Sequence, residues 1–327
     1  MKKLLAALLT AALALSLVAC SSGTPKNAET KSPETDQPKV ENPDGGHIIG
    51  YTGMDLSVPF QIKMKEAVQA VVEGNGDKFI AVDGALDQTK QNNGIEDLIT
   101  QGIEILVLNP VDSQGVQPAL EACRDAGVKV VVVDSNVADT ALTETFISSN
   151  NYQAGQLCGE EMIRLFPDGA KLCIIENPLA ESVVQRVKGV EDAIAGSNVV
   201  IADRKSISTM DKVLTTTEDL LQANPDVELF FGLNDDVALI IQGSVESAGL
   251  QDQVKVFGVD GSPQAKQSVA AGGLYATAAQ SPMSIGTKAA ECAYDILDGK
   301  TVEKSYQVDT SLVTPDNVQS VGTDEWA

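Results

Sequence analysis

Histidine occurs once, at His47, tryptophan once, at Trp326, and Phe, Tyr and Trp together make up 4% of the 327 residues. One histidine at the margin of the chain's ordered part leaves no base for a serine or cysteine nucleophile of the usual kind. The cysteines form no C-x-x-C pair, so no Cys/His cluster is available to zinc. Also missing are a G-x-x-x-x-G-K-[ST] loop, a G-x-G-x-x-G after a strand and a G-x-S-x-G elbow. The adjacent acids Asp235 and Asp236 read as one helix cap and one exposed charge, not as a glycosidase pair. No enzyme is expected, and no cofactor or metal. Basic residues are scarce too: 23 Lys and Arg face 46 Asp and Glu, a formal charge of −23. Such a surface opposes nucleic acid and anionic lipid as electrostatic partners. It says little about a neutral ligand.

No apolar run reaches the roughly 20 residues that cross a bilayer as a helix. The longest, residues 4–18, follows Lys2-Lys3 and ends in Leu17-Val18-Ala19-Cys20. A positive start, a short apolar core and small residues before a cut site predict a signal peptide over 1–19. The cysteine directly after Leu-Val-Ala resembles the lipobox of bacterial lipoproteins, which implies acylation of Cys20 and cleavage before it. An ordinary signal with a chance cysteine is the plainer alternative. The resemblance implies a lipid-anchored protein on the outer face of the cell membrane or in the periplasm. Residues 20–46, rich in Ser, Pro, Glu, Lys and Asn, cannot bury enough surface to offset their ordering entropy and read as a flexible tether.

Beyond the tether, 43% hydrophobic residues spread evenly support a real core. Short apolar runs at 48–52, 78–82, 105–108, 128–133 and 144–147 read as strands, and a second series follows at 171–175, 199–202, 227–231, 255–259 and 275–279. Helix-period stretches lie between them at 58–73, 88–101, 114–126, 152–166, 182–195, 208–223, 235–248 and 282–298. Near-continuous apolar strands alternating with helices predict α/β architecture, with parallel sheets covered on both faces. Ten strands divide naturally near Ser149-Asn150 into two doubly wound lobes of ordinary domain size. Ligands of open α/β sheets bind beyond the carboxyl ends of the strands. Asp55, Asn109, Asp134, Glu176, Asn234-Asp235-Asp236, Asp260 and Gln280 all follow strands, which describes a polar cleft. Cys123, Cys158 and Cys292 fall in helical patterns and Cys173 in a strand; buried thiols fit best, and no disulfide pairing can be chosen. Met54, Met64, Met162 and Met283 are expected in the core or lining the cleft. Trp326 follows the last recognisable strand, either packed on a lobe or loose.

Several phrases in order carry a wider resemblance: Asp55-Leu56-Ser57-Val58-Pro59-Phe60, Leu108-Asn109-Pro110-Val111-Asp112, Leu233-Asn234-Asp235-Asp236 and Gly258-Val259-Asp260-Gly261-Ser262-Pro263. From about residue 48 to 312 the chain resembles the periplasmic sugar-binding proteins of ABC transporters, type I, ribose-binding-like branch. The resemblance implies a three-crossing hinge near Asn150/Asn151, Gln280/Ser281 and Asp309/Thr310. The first lobe would then be 47–150 plus 281–309 and the second 151–280 plus 310–327. It also implies ligand contacts from Asp134, Arg186, Asn234, Asp260 and Gln280, a set suited to a neutral polyol because acids accept from hydroxyls while Arg and amides donate. Asp55 and Phe60 join them from the first βα loop and helix. Where relatives have aromatic rings, Phe60 alone remains: Gln61 and Ser208 stand in the other places. Ser135 replaces an arginine, with the amide of Asn136 beside it. A pyranose held between two rings is therefore not expected, and a smaller or more polar polyhydroxy ligand is.

Two roles share these features: a monomeric receptor delivering such a ligand to an ABC permease, and a sensory lipoprotein presenting a signal molecule to a membrane kinase or chemoreceptor. A transcription-factor effector module is opposed by the signal and by the lack of a basic helix-turn-helix before Ile48. For Asp134 and Asp260 the plainer alternative is helix capping after a strand. For Arg186 it is a surface pairing with Glu181.

Overall fold

The computed structural model describes residues 45–326. The expected signal peptide, Cys20 and nearly all of the tether lie outside the described residues. No helix among the described residues is long and apolar enough to cross a membrane.

The chain alternates strand and helix: β1 (Ile48–Gly53), α1 (Pro59–Gly74), β2 (Lys78–Asp83), α2 (Gln88–Thr100), β3 (Ile105–Leu108), α3 (Gln117–Ala126), β4 (Lys129–Val133) and β5 (Thr145–Ser149). There follow α4 (Asn151–Leu165), β6 (Ala170–Glu176), α5 (Glu181–Ile194), β7 (Val199–Ser206), α6 (Val213–Ala223), β8 (Leu229–Gly232), α7 (Asp235–Ser247), β9 (Lys255–Asp260), α8 (Pro263–Ala271) and β10 (Ala276–Ala279). The chain ends with α9 (Pro282–Leu297), β11 (Ser305–Val308), β12 (Ser311–Val313) and α10 (Val318–Val321). Two six-stranded sheets result, ordered β11-β5-β4-β3-β1-β2 and β12-β10-β9-β8-β6-β7. The chain passes between them three times: from β5 to α4, from β10 to α9, and from β11 to β12.

Each sheet is covered on both faces, and alternate residues of one strand serve different cores. In β6, Leu172 and Ile174 pack with α4 and α5, while Cys173 and Ile175 pack with α6 and α7. In β4, Val131 and Val133 face α1 and α9, and Val130 and Val132 face α2 and α3. This is why the strands read as continuous apolar runs. The ten expected strands are present, but β11 and β12 were not anticipated, because Ser-Tyr-Gln-Val and Ser-Leu-Val are short edge segments with exposed polar residues. The expectation of wholly parallel sheets also needs correction: β12 is antiparallel to β10. The cause is topological. β11 runs toward the other sheet, and two residues later β12 continues in the same sense, away from the gap that β10 approaches. Helix α8 was also missed; Ser262 caps it through Oγ and Pro263 opens it.

The four cysteines of the described residues are free and buried, as expected of small core hydrophobes. Met64 and Met162 are fully buried, whereas Met283 is 44% exposed at the start of α9 and belongs to neither core nor cleft. Helix α5 packs unusually close on α4. A Cβ at Gly155 would lie 1.9 Å from the Arg186 carbonyl oxygen, and one at Gly189 would lie 2.1 Å from that of Tyr152. Only glycine at both positions allows this approach, which fixes the depth at which α5 holds Arg186.

Candidate functional site

The carboxyl ends of the two sheets face each other, and the space between them is a cleft of about 100 Å³. Eight of the anticipated residues line it: Asp55, Phe60, Gln61, Asp134, Arg186, Ser208, Asn234 and Asp260. Gln280 stands one layer back, behind Asp260. Ser135 and Asn136 do not line the cleft. Ser135 Oγ instead accepts the N–H of Ser182 at 3.1 Å, capping the second sheet's α5 from the first sheet's side. Asn136 turns its Oδ1 back onto the N–H of Val137. Ser135 thus joins the lobes directly. A backbone bond from Ser113 N–H to the Leu179 carbonyl makes a second direct link. These two bonds tie the lobes together beside the cleft.

On the first side Asp134 follows β4 with φ 62°, a left-handed conformation that Asp tolerates better than most residues. Its Oδ2 accepts from Asn109 Nδ2 at 3.0 Å and from Gln61 Nε2 at 3.4 Å, while Oδ1, equally buried, has no partner. Asn109 also donates to Gln61 Oε1 at 2.9 Å. Asn109, placed between the end of β3 and Pro110, thereby positions the acid. Behind Asp134, burial and then the acid's charge push the Tyr51 phenol far above its ordinary value, so it stays a neutral hydroxyl. Asp55 uses Oδ1 to accept from Ser57 N–H and Oγ, holding the β1–α1 loop as an Asx turn.

On the second side Arg186 is 4% exposed. Its Nε donates to Asn151 Oδ1 at 2.8 Å and an Nη donates to the Leu233 carbonyl at 2.7 Å. The same Nη lies 3.9 Å from Asp260 Oδ1, so the alternative pairing with Glu181 is not made. Asp260, at the end of β9 with φ 141°, accepts from Gln280 Nε2 at 2.7 Å. Burial raises its carboxyl well above the usual range; Arg186 opposes that only partly, and Asp235 and Asp236 add to it. Two acids at positive φ, one from each sheet, line the cleft together with Arg186, the only cation lining it among the described residues. Strain of this kind concentrates at binding and catalytic sites.

Asn234 caps α7 by accepting Val237 N–H at 3.0 Å, and it lines the cleft as well. The reading of Asp235-Asp236 as cap plus exposed charge is corrected here. Asp235 is 1% exposed, accepting from Thr277 Oγ1 at 2.6 Å and Ser262 N–H at 2.7 Å, and burial pushes its carboxyl up to about 6. Asp236 is raised by burial and then by Asp55 across the gap. Nothing in the local sequence marks Asp235 as buried, because Thr277 and Ser262 are distant in the chain. The apolar wall is aliphatic: Met54, Val58, Leu86, Val183, Ile207 and Leu233 surround Phe60, and none was named as a contact beforehand except Met54. No group of metal-binding side chains occurs among the described residues.

Residues 49–301 match the periplasmic binding protein domain family. The ribose import binding protein RbsB of Bacillus subtilis is 33% identical over 267 residues, covering 81% of this chain and 87% of that protein. RbsB of Escherichia coli is 31% identical over 260 residues, covering 79% and 87%. Among solved structures, an ABC transporter solute-binding protein from Mycobacterium smegmatis with bound glycerol superposes with a TM-score of 0.82 at 34% identity, covering 86% of this chain and 99% of that one. The Caulobacter myo-inositol-binding protein gives a TM-score of 0.78 at 28% identity, covering 84% and 95%. These are receptors and not enzymes, in agreement with the missing catalytic motifs. Sheet order, three crossings and the facing strand ends agree with the same conclusion: the chain belongs to the type I periplasmic binding proteins of ABC transporters, in the branch that contains the ribose-binding proteins.

Proposed function

We propose that this protein is the substrate-binding lipoprotein of an ABC importer and takes a small sugar, polyol or related polyhydroxy compound into the cleft. The observation that carries the reading is the buried, unpartnered Oδ1 of Asp134 on one side, with Arg186 and Asp260 on the other. A buried carboxyl oxygen without a hydrogen-bond partner is costly unless a ligand hydroxyl supplies one. Residues 47–150 with 281–309 form one lobe and 151–280 with 310–327 the other, turning about the three crossings so that ligand contacts on both sides favour closure. Asp55, Phe60, Gln61, Asp134, Arg186, Ser208, Asn234 and Asp260 touch the ligand, and Gln280 holds Asp260. Cys20, acylated, anchors a monomer to the outer face of the membrane, where the closed form meets the permease.

The small cleft and single ring favour compact polyols over a pyranose held between two rings. A thermal-shift panel of glycerol, D-ribose, D-allose and myo-inositol tests this. A compound present at about a hundred times its dissociation constant stabilises the fold by roughly 2.7 kcal/mol. No shift with any of the four at millimolar concentration would sink the ligand class. Cys20→Ser is expected to release the protein from the membrane fraction, and continued membrane association would refute the anchor.

A further inference from the structure

The last residues of the chain, beyond β12, touch both lobes. Helix α10 packs on α8, and the buried Lys266 of α8 donates to the Glu325 carbonyl, so the tail is held by the second lobe. The next residue, Trp326, reaches the first. Its ring lies 5.8 Å from that of Phe60 at 66°, an edge-to-face pair, and it packs on the cluster formed by β1, α1 and α9. Phe60 is the single aromatic residue among those lining the cleft, and its buried ring leaves the Trp326 indole as its aromatic neighbour.

From this we infer that Trp326 is a positioning residue: the carboxyl-terminal tail is a latch that spans the closed lobes and braces Phe60 against the ligand. The three crossings join the lobes through continuous backbone, whereas the tail joins them through side-chain contacts that separate when the lobes part. Opening therefore breaks the Trp326–Phe60 contact. That ring pair raises the barrier to release and holds the one aromatic wall at a fixed height. The inference rests on reading the gap as a hinged binding site, but its test needs no ligand.

Hydrogen exchange of the full ligand-free chain, read by mass spectrometry, distinguishes the cases. The N–H groups of Ser113 and Ser182 bond across the lobes, to the Leu179 carbonyl and Ser135 Oγ, and are protected only while the gap is shut. Trp326→Ala is expected to speed exchange of the segments holding these two amides about tenfold, while β4 and β8 keep the parent's protection. Trp326→Phe should restore most of the protection, because a ring still meets Phe60. Unchanged exchange in Trp326→Ala would overturn the latch. So would acceleration spread equally through β4 and β8, which would make Trp326 an ordinary core residue. A protein that binds none of the polyols tested but shows the local acceleration would refute the ligand and keep the latch.

Discussion

Asp134→Asn isolates the acid's charge with the least disturbance. The amide has the same size, and Asn is among the few residues that tolerate the left-handed φ of 62°. Asn109 Nδ2 and Gln61 Nε2 both donate toward the Oδ2 position, so the amide oxygen of the substituted residue must take that place. Its NH2 then replaces the unpartnered Oδ1, putting a donor where an acceptor stood. A ligand hydroxyl that donated to a carboxylate meets a donor instead, and one charge-assisted bond of about 1.5–3 kcal/mol is lost. That corresponds to a fall in affinity of about ten- to a hundredfold. Calorimetry with whichever polyol gives the largest thermal shift should show this loss, with the unliganded melting temperature within about 4 °C of the parent. A dissociation constant within twofold of the parent's would refute the assignment of Asp134 Oδ1 to the ligand. A collapse of the melting temperature would show that the acid serves the fold instead.

Arg186→Met leaves Asp260 without its cation in a buried place, so affinity should fall at least tenfold in calorimetry and stability by about 3 kcal/mol in urea titration, toward the lower end known for breaking buried pairs because Asp260 can take a proton. Gly155→Ala drives a methyl into the Arg186 carbonyl and should cost about 1–3 kcal/mol by overpacking while weakening ligand binding, measured by melting curves and calorimetry together; unaltered binding would separate the α4–α5 contact from the site. Asp235 gives a pH dependence of definite sign. Its folded-state pKa of about 6 lies above the ordinary 3.8, so its contribution to stability is fully present below pH 4 and falls by about 3 kcal/mol as pH rises past 6. Asp235→Asn should flatten that part of the urea-measured stability profile, and an unaltered slope would show that the carboxyl ionises freely.

Much of the site was legible in the chain because its residues sit at strand ends, and strand ends are marked by where apolar runs stop. Asp134 and Asp260 were found this way, and Arg186 through the resemblance of its neighbourhood. Other roles turned on partners far away in sequence. Ser135 and Asn136 occupy positions next to Asp134, yet one bonds to Ser182 across the gap and the other to its own neighbour. Asn109 could be read as a turn residue, but its hold on Asp134 depends on β3 and β4 lying side by side. Asp235-Asp236 read as one helix cap and one exposed charge; the burial of Asp235 is set by Thr277 on β10 and Ser262 before α8.

Sequence alone determined the alternation of strand and helix, the absence of catalytic motifs and the strand ends where polar groups gather, because each of these is local: periodicity, residue type and spacing are read within a dozen positions. Tertiary structure alone decided that β12 runs against its neighbour, which carboxylate oxygen lacks a partner, and that Trp326 crosses from one lobe to the ring of Phe60. Those facts arise where segments separated by tens to hundreds of residues meet, and no local pattern fixes the distance or angle of such a meeting.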